Sequence, residues 1–407
     1  MSLHQFLTIP VVRSRKRLLK AGAGFLSKRM GLLPLVGLVV LLGCGSSFAA
    51  QGGWSGVVLG EGALYAGSLE GKLLALDTQA EFLSPAERLR WSFPPLADKG
   101  LGSIYGTPAV ADGRVYFGSY NGTVYSREAE SGTDAARGTW KFLTGGQVVG
   151  GVVVARGQVL VGSSDGRFYA LDQESGQLAW PSFETGDKIW STPTVSGDIV
   201  YFGSLDHRVY ALRLDNGAEA WRFQAEGGFM ASPEVAEGKA YVGALDRRLY
   251  ALDAATGRKV WEFTGGNWFW ARPASDGKRV YAGNVDGFVY ALDAGTGKEV
   301  WRFGTGGPVM VPPLLTPTGG LIVASDKADG GTRLWFLNPG NGVEKMRYQD
   351  QDGRERLSPS FYDLGGHLRA PLVMRDGILY VNGLDHTITA LDPFRGVRQW
   401  SFTTNGK

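Results

Sequence analysis

The chain has 407 residues, 43% of them hydrophobic and 20% charged, so it can bury a sizeable core and does not have a disordered composition. Its 61 glycines and 12 tryptophans indicate many tight turns between short strands, which is typical of all-β folds. Seven of the 42 basic residues lie within residues 1–43, and the rest of the chain has 35 basic against 39 acidic side chains. This balance argues against the basic surface that nucleic-acid binding requires, and no nucleic-acid partner is expected.

Residues 1–43 are predicted to be a signal peptide. A basic stretch precedes the apolar run from Gly31 to Gly43, which is short for a membrane span of roughly 20 residues. The run ends in Leu41-Leu42-Gly43-Cys44, which resembles the bacterial lipobox, where a peptidase cuts before an acylated cysteine. We therefore expect Cys44 to be the lipidated N-terminus of the mature protein, followed by a linker over residues 44–53. A later cleavage near Ala49 is the alternative, and general secretion is favoured over twin-arginine export.

A repeat of about 40 residues occupies the remainder, residues 54–403. Residues 241–263 read YVGALDRRLYALDAATGRKVWEF, and residues 281–303 read YAGNVDGFVYALDAGTGKEVWRF. The closing tryptophan of this phrase recurs at Trp91, Trp140, Trp180, Trp221, Trp261, Trp301 and Trp400. The long interval between Trp301 and Trp400 is expected to hold one degenerate unit with Met346 in the tryptophan position. The count of units is therefore eight.

Each unit contains four strand signals separated by Asp-Gly, Asn-Gly and Thr-Gly turns, a pattern that favours antiparallel hairpins. In one unit these signals fall at Ser191–Val195 (strand A), Ile199–Gly203 (B), Val209–Arg213 (C) and Glu219–Phe223 (D). A four-stranded sheet repeated eight times predicts an eight-bladed β-propeller. A solenoid is the alternative architecture, but it needs polar capping units, and the first and last units look ordinary.

The repeat phrase, with its Tyr-Ala-Leu-Asp, Thr-Gly and closing Trp, resembles the PQQ-like repeat of quinoprotein alcohol dehydrogenases and of the BamB outer-membrane assembly lipoproteins. The resemblance covers essentially all of residues 54–403. It implies that the strand-D tryptophans dock between neighbouring blades. It is strong for the fold and weak for the function, because one fold carries many functions.

Acidic and histidine residues of the repeat are explained by turn chemistry. An Asp at the end of strand C and an Asp or Asn in the B–C turn can bond to backbone N–H groups of their own turns. His207 and His386 occupy the same turn position in blades four and eight and cannot share a metal ion. No metal site and no cofactor are therefore predicted.

An apolar position two residues before the usual strand-A Thr-Pro or Ser-Pro is the main candidate binding feature. Strand A is the innermost strand of a blade, so these residues are expected to ring one mouth of the central channel. Inter-blade packing explains the pattern, and a hydrophobic rim that binds a partner or small ligand is the alternative. The position is occupied by Trp54, Tyr105, Val149, Trp190, Met230, Trp270, Met310 and Leu368, and Trp268 lies beside it in the sixth unit.

Two D–A connections are longer than the usual 9 residues. The interval from Trp91 to Tyr105 is 14 residues, and that from Met346 to Leu368 is 22. The second extension, residues 350–366, carries Arg354, Arg356, Phe361 and Tyr362 and is predicted to be a partner-binding loop on the rim face. Two long C–D connections, residues 78–90 and 128–139, are expected on the opposite face.

Two classes of function follow. A PQQ-dependent dehydrogenase would resemble enzymes that carry an active-site calcium, an Asp base and, in many cases, adjacent cysteines. This chain has no cysteine pair and lacks the long inserted segments of those enzymes. A BamB-like scaffold is therefore favoured: a non-enzymatic, monomeric, lipid-anchored protein outside the cytoplasm that binds envelope proteins. In a cell with two membranes it is expected at the periplasmic face of the outer membrane, otherwise at the outer face of the cytoplasmic membrane. A soluble ligand-binding or sensor propeller is a further alternative.

Overall fold

The structure is a computed structural model and describes residues 55–60, 62–78, 83–133, 138–345, 347–349 and 354–405. Within these residues the strands form eight four-stranded antiparallel sheets and one two-stranded hairpin. The eight sheets are the blades of a propeller ring, which confirms the predicted fold. The signal peptide, Cys44 and Trp54 lie outside the described residues.

The first four blades have the following strands. Blade one consists of β1 (Val57–Leu59), β2 (Ala63–Gly67), β3 (Leu73–Asp77) and β4 (Leu89–Phe93), with a short helix α1 (Pro85–Arg88) between β3 and β4. Blade two consists of β5 (Ala109–Ala111), β6 (Arg114–Gly118), β7 (Thr123–Glu128) and β8 (Trp140–Leu143). Blade three consists of β9 (Val153–Ala155), β10 (Gln158–Gly162), β11 (Arg167–Asp172) and β12 (Phe183–Glu184). Blade four consists of β13 (Thr194–Ser196), β14 (Ile199–Ser204), β15 (Arg208–Arg213) and β16 (Glu219–Gln224).

The remaining blades follow the same order, except that a hairpin interrupts blade seven. Blade five consists of β17 (Glu234–Ala236), β18 (Lys239–Gly243), β19 (Arg248–Asp253) and β20 (Lys259–Thr264). Blade six consists of β21 (Ala274–Ser275), β22 (Arg279–Gly283), β23 (Phe288–Asp293) and β24 (Glu299–Gly304). Blade seven consists of β25 (Leu314–Leu315), β26 (Leu321–Asp326), β27 (Thr332–Leu337) and β30 (Phe361–Leu364); β28 (Arg347–Gln349) pairs with β29 (Glu355–Leu357). Blade eight consists of β31 (Val373–Arg375), β32 (Ile378–Asn382), β33 (Thr387–Asp392) and β34 (Val397–Thr403).

The middle strands of each blade are buried on both faces, because every blade packs between two others. In blade four, Phe202 and Tyr210 face blade three, whereas Tyr201 and Val209 face blade five. Strands buried on both faces read as continuous apolar runs rather than as alternating ones. The phrases that the sequence repeats are therefore the cores of the blades.

The strand-D tryptophans lock each blade to the next one. The Nε1 of Trp221 donates to the carbonyl of Ala254 in blade five at 2.9 Å. Its ring lies against Gly257 of the following turn, where a Cβ would come within 2.6 Å of the indole and where φ is +71°. Only glycine combines that conformation with so close a ring. The same pairing joins Trp91, Trp140, Trp180, Trp261 and Trp301 to Gly132, Gly176, Gly217, Gly297 and Gly342, respectively, which confirms the inter-blade role that the family resemblance implies.

The repeated acidic residues hold turns, as predicted. Asp253 at the end of strand C accepts bonds from both the backbone N–H and the hydroxyl of Thr256. In the B–C turn, Asp206 accepts a bond from the Tyr210 hydroxyl at 2.6 Å and one from the Gly186 N–H of the preceding connection at 2.8 Å. These aspartates therefore tie the B–C turns to strand C and to the neighbouring blade.

Blade seven departs from the prediction. Its outer strand is β30, in which Phe361 pairs with Trp335 and Tyr362 with Leu334. Because the equivalent pairs in blade four are Arg222–Tyr210 and Phe223–Val209, the tryptophan position of blade seven is Ser360. Met346, which was expected there, lies outside the described residues.

The long insertion therefore lies in the C–D connection of blade seven and not in its D–A connection. The chain begins strand D with the bridge between Leu337 and Glu344, leaves the sheet after Lys345, and resumes the strand at Ser360. The D–A connection from Ser360 to Leu368 has ordinary length. The prediction of an extended D–A loop over residues 350–366 was wrong, because strand D was placed before the insertion when most of it follows.

Blade eight meets blade one through side chains, and each of the two blades is a continuous segment of chain. The Nδ2 of Asn382 donates to the carbonyls of Ser55 and Gly67, both at 3.0 Å. Trp400 has the buried guanidinium of Arg88 over its ring at 4.4 Å, where other junctions have the turn glycine. The ring therefore closes without exchanging a strand between its ends.

Candidate functional site

The two faces of the propeller carry different connections. The D–A connections and B–C turns share one face, here called the rim face, since the Gly186 N–H of one connection bonds to Asp206 of the next B–C turn. The A–B and C–D connections lie on the opposite face. The two predicted long C–D connections belong there, and α1 forms part of the first.

The predicted strand-A ring lines the central channel but is buried. Trp190 and Trp270 are each 8% exposed, and Met230 is 9% exposed. The indole Nε1 of Trp190 donates to the Ser164 hydroxyl at 2.9 Å, which fixes the ring at the channel wall. The described members of the ring that line a cavity of about 450 Å³ are Tyr105, Val149, Trp190, Met230, Trp270 and Met310. The structure thus brings these residues together around the channel, and Trp54 lies outside the described residues.

The two arginines that line this cavity, Arg272 and Arg369, are each paired with a carboxylate. Arg272 contacts Glu234 through its Nε at 2.7 Å, and Arg369 makes two bonds of 2.8 Å to the carboxylate of Asp326. His367 also approaches Asp326, at 3.2 Å. Across the described residues, no three His, Cys, Asp or Glu side chains are grouped in a way that could hold a metal ion. The cavity lining is therefore mainly apolar, and carboxylates beside its two arginines neutralise their charges.

The extended D–A connection between blades one and two is an ordered part of the rim face. The buried Lys72 donates to the carbonyls of Pro95 and Asp98 and so holds the base of this connection. Leu96 at its tip is 51% exposed. This connection is the one extension that the sequence correctly placed on the rim face, and it presents an apolar residue to solvent.

A second ring on the rim face was missed by sequence reasoning. The residue before the B–C turn Asp, Asn or Glu is apolar in six blades. In blades two, four, five, six and eight its backbone N–H bonds to the preceding D–A connection, as in Leu205 to Lys188 and Leu245 to Gly228. Tyr120 is exposed, whereas Leu205 and Leu245 are half-buried. We call this set the turn ring: Leu69, Tyr120, Leu205, Leu245, Val285 and Leu384. The sequence signal for this ring is an apolar residue directly before the acid or Asn of the B–C turn.

Trp268 belongs to the same surface. It is half-buried, and its carbonyl accepts the N–H of Val285 at 3.0 Å, so it lies against the turn ring rather than inside the channel. The strand-A ring is buried, whereas every member of the turn ring except Val285 is at least partly exposed. The turn ring is therefore the one within reach of a macromolecule.

The predicted partner-binding loop is divided by the structure. Arg354 and Arg356 are exposed in or next to β29 of the inserted hairpin, in a C–D connection. Phe361 and Tyr362 lie in β30, the outer strand of blade seven, where the Arg333 guanidinium lies 3.9 Å from the Phe361 ring centroid. These four residues therefore do not border the channel mouth, contrary to the prediction.

No helix within the described residues is long and apolar enough to cross a membrane. No curated protein sequence matches the chain significantly.

A sequence profile for the family described as "Outer membrane protein assembly factor BamB" matches residues 80–189, 183–267 and 265–362, well over half of the chain. Among solved structures, the crystal structure of BamB from Moraxella catarrhalis is 19% identical, covers 83% of this chain and 93% of its own, and has a TM-score of 0.63. The computationally designed Ika8 protein is also 19% identical, covers 84% of this chain and 96% of its own, and has a TM-score of 0.65. At these identities the two structures bear on the fold alone.

Proposed function

The chain belongs to the family of the outer membrane protein assembly factor BamB, and from that premise we propose that it is a non-enzymatic scaffold that binds other proteins of the cell envelope. In a cell with two membranes, membership of this family makes assembly of outer-membrane proteins the proposed process. The protein acts as a monomer, and its rim face is the binding surface.

The turn ring is the observation that supports this surface. It offers apolar side chains in six of the eight blades, five of them at least partly exposed, between polar backbone and acidic turn residues. The exposed Leu96 and the half-buried Trp268 lie on the same face. An apolar centre within a polar surround is the usual composition of a protein interface. The turns are tied to strand C by bonds such as that from Tyr210 to Asp206, so the surface is preorganised and loses little entropy on binding.

The channel favours a scaffold over a dehydrogenase. Glu234 and Asp326 already share their oxygens with arginines at hydrogen-bond distance. A carboxylate engaged in this way is a poor metal ligand or general base, because its lone pairs are occupied and its negative charge is neutralised. When PQQ and Ca²⁺ are added to the purified protein, we expect no reduction of a dye acceptor by simple alcohols. Reduction that is lost on chelation and restored by Ca²⁺ would show that the protein is an enzyme.

Acylation of Cys44 is the proposed anchor. One acyl chain gives only marginal membrane binding, so a cysteine carrying several chains is needed for firm attachment. Cys44→Ser should release the protein from the membrane fraction, and intact-mass analysis of the wild type should place the mature terminus at Cys44. A mature terminus beyond residue 44 contradicts the anchor while leaving the scaffold role open.

The scaffold role is tested with matched surface variants. Changing Tyr120, Leu205 and Leu245 together to serine removes apolar contacts from the turn ring. The control changes Val260, Val300 and Val397 to serine; these are exposed at 43%, 48% and 50% on outer strands. After chemical crosslinking in cells and affinity purification, envelope proteins should be lost from the first variant and kept by the second. Equal recovery from both folded variants contradicts the assignment of the rim face.

A further inference from the structure

Blade eight lacks a side chain that five other blades have. In blades two to six, a strand-C tyrosine packs towards the preceding blade and bonds to the Asp or Asn of its own B–C turn. The hydroxyl-to-carboxylate distance is 2.6 Å for Tyr169–Asp165, Tyr210–Asp206 and Tyr250–Asp246 and 2.7 Å for Tyr290–Asp286, while the Asn121 amide lies 2.9 Å from the Tyr125 hydroxyl. In blade eight the pairing of Thr389 with Val381 puts a threonine at this position, although the turn keeps its acid, Asp385.

The missing ring leaves a cavity of about 270 Å³ between blades seven and eight. Its lining includes Tyr362, Val381, Asp385, Thr389 and Ser401. The residues around Tyr210 in blade four occupy the same positions: Phe183, Phe202 and Arg222 correspond to Tyr362, Val381 and Ser401. The cavity is therefore the space that the repeat reserves for a phenol, widened by the change from arginine to serine.

Because Thr389 replaces the strand-C tyrosine, the carboxylate of Asp385 has no tyrosine hydroxyl to accept a bond from. Among the described residues, its side chain makes no hydrogen bond or ion pair, and Asp385 is exposed at the cavity mouth. The equivalent Asp206 has a side chain only 5% exposed, and it accepts bonds from Tyr210, Arg208 and Gly186. A hydroxyl that entered the cavity would therefore find an acceptor without displacing another partner.

We propose that this cavity is a binding site for a phenol ring, either as a free phenol or as the tyrosine side chain of a bound polypeptide. The ring packs against Tyr362 and Val381, and its hydroxyl donates to Asp385, as Tyr210 does to Asp206 in blade four. A cavity of roughly 150 Å³ in a protein core holds benzene, so the volume is sufficient. The polar lining by threonine and serine side chains keeps the empty cavity hydrated, and an aromatic ring with one hydroxyl displaces that water while replacing its bond to the carboxylate.

Titration calorimetry of the full-length protein with p-cresol tests the proposal, with toluene as the probe that lacks the hydroxyl. We expect saturable one-to-one binding of p-cresol and about tenfold weaker binding of toluene, since a bond to a charged group contributes that much. Asp385→Ala, which removes the acceptor, should weaken p-cresol binding by about tenfold and leave toluene unchanged. Thr389→Tyr, which restores the repeat side chain, should abolish binding of both probes, whereas Thr389→Val should retain toluene binding.

Ser401→Arg provides a second block, because it restores the arginine that lies over Tyr210 in blade four, and it keeps the test decisive if Thr389→Tyr does not fold. N-acetyltyrosinamide separates the two sources: binding at least as tight as that of p-cresol indicates a polypeptide tyrosine, and exclusion of the larger probe indicates a free phenol. Absence of saturable p-cresol binding at about 10 mM, an affinity too weak to count as a specific site, overturns the proposal. Binding that persists unchanged in both blocking variants also overturns it.

Discussion

The junctions between neighbouring blades from two to six differ from the two junctions that flank blade eight. In the first group each strand-D tryptophan covers the turn glycine of the next blade, and a strand-C tyrosine is held by the turn Asp or Asn. At the junction of blades seven and eight, Ser360 replaces the tryptophan, Pro359 instead approaches the turn glycine Gly396, and Thr389 replaces the tyrosine. At the junction of blades eight and one the tryptophan is kept, but Arg88 takes the place of the glycine.

This comparison indicates that the stability of the ring depends on the sum of its inter-blade junctions, which need not be identical. Each blade contacts only its two neighbours, so a weak junction is stabilised by the closed ring on both sides. The regular junctions carry stability, and the irregular ones are free to acquire insertions and cavities.

Trp221→Ala should destabilise the protein by about 3–5 kcal/mol, because it opens a cavity between blades four and five and leaves the Ala254 carbonyl without its indole donor. Ser360→Ala, at the same position of blade seven, should change stability by less than about 0.5 kcal/mol. Urea midpoints of the two variants measure the contrast. Equal losses would show that the irregular junction is as important as the regular one.

Tyr210→Phe should cost about 1–2 kcal/mol at neutral pH, since it removes a bond to the Asp206 carboxylate. Tyr241→Phe is the control, because its hydroxyl bonds only to the neutral Ala294 carbonyl, at 3.3 Å. The loss should be clearly smaller for this variant. A larger effect in Tyr241→Phe would contradict the importance of the bond between the Tyr210 hydroxyl and the Asp206 carboxylate.

The Tyr210 hydroxyl also makes the stability of the protein depend on pH in the alkaline range. Burial, reinforced by Asp206, raises the pKa of Tyr210 to about 12, whereas an unfolded tyrosine titrates near 10. Between these values the folded chain retains the proton that the unfolded chain releases, so stability falls as pH rises from about 10 to 12. Tyr210→Phe should reduce that slope, measured from urea midpoints at pH 9, 10 and 11. An unchanged slope would mean that the pKa of this hydroxyl is not raised in the folded protein.

Removal of the hairpin from Arg347 to Leu357, with a short Gly-Ser bridge, should have the smallest effect. The hairpin pairs with itself, and β30 keeps its pairing with β27 in its absence. The melting temperature should change by at most about 2 °C, which corresponds to about 1–2 kcal/mol in a protein of this size. Partner binding through the rim face should also persist, since the hairpin lies in a C–D connection. Unfolding of this variant would show that the insertion is a structural part of blade seven.

The sequence predicted most of the fold because each blade repeats the same solution to the same packing problem. The spacing of the tryptophans gave the blade count, and alternating turns gave the strand order. It failed at blade seven, where strand D starts at Glu344, leaves the sheet and resumes at Ser360, because pairing across an insertion depends on contacts distant along the chain. The site was predicted less well, since an apolar position on strand A cannot reveal whether Trp190 faces solvent or the closed channel. The sequence shows the turn ring as apolar residues beside the turn acids. Only the structure shows that it is more exposed than the strand-A ring.

Site-specific photocrosslinking in living cells is the most direct test of the scaffold role. A photoreactive amino acid is placed at Tyr120 or Leu205 on the rim face and, as the control, at Lys298 or Glu174 in turns of the opposite face. The account predicts crosslinks to the same envelope protein from both rim positions and none from the two control positions. Crosslinks confined to the opposite face, or absent from both rim positions in a correctly folded protein, would contradict it.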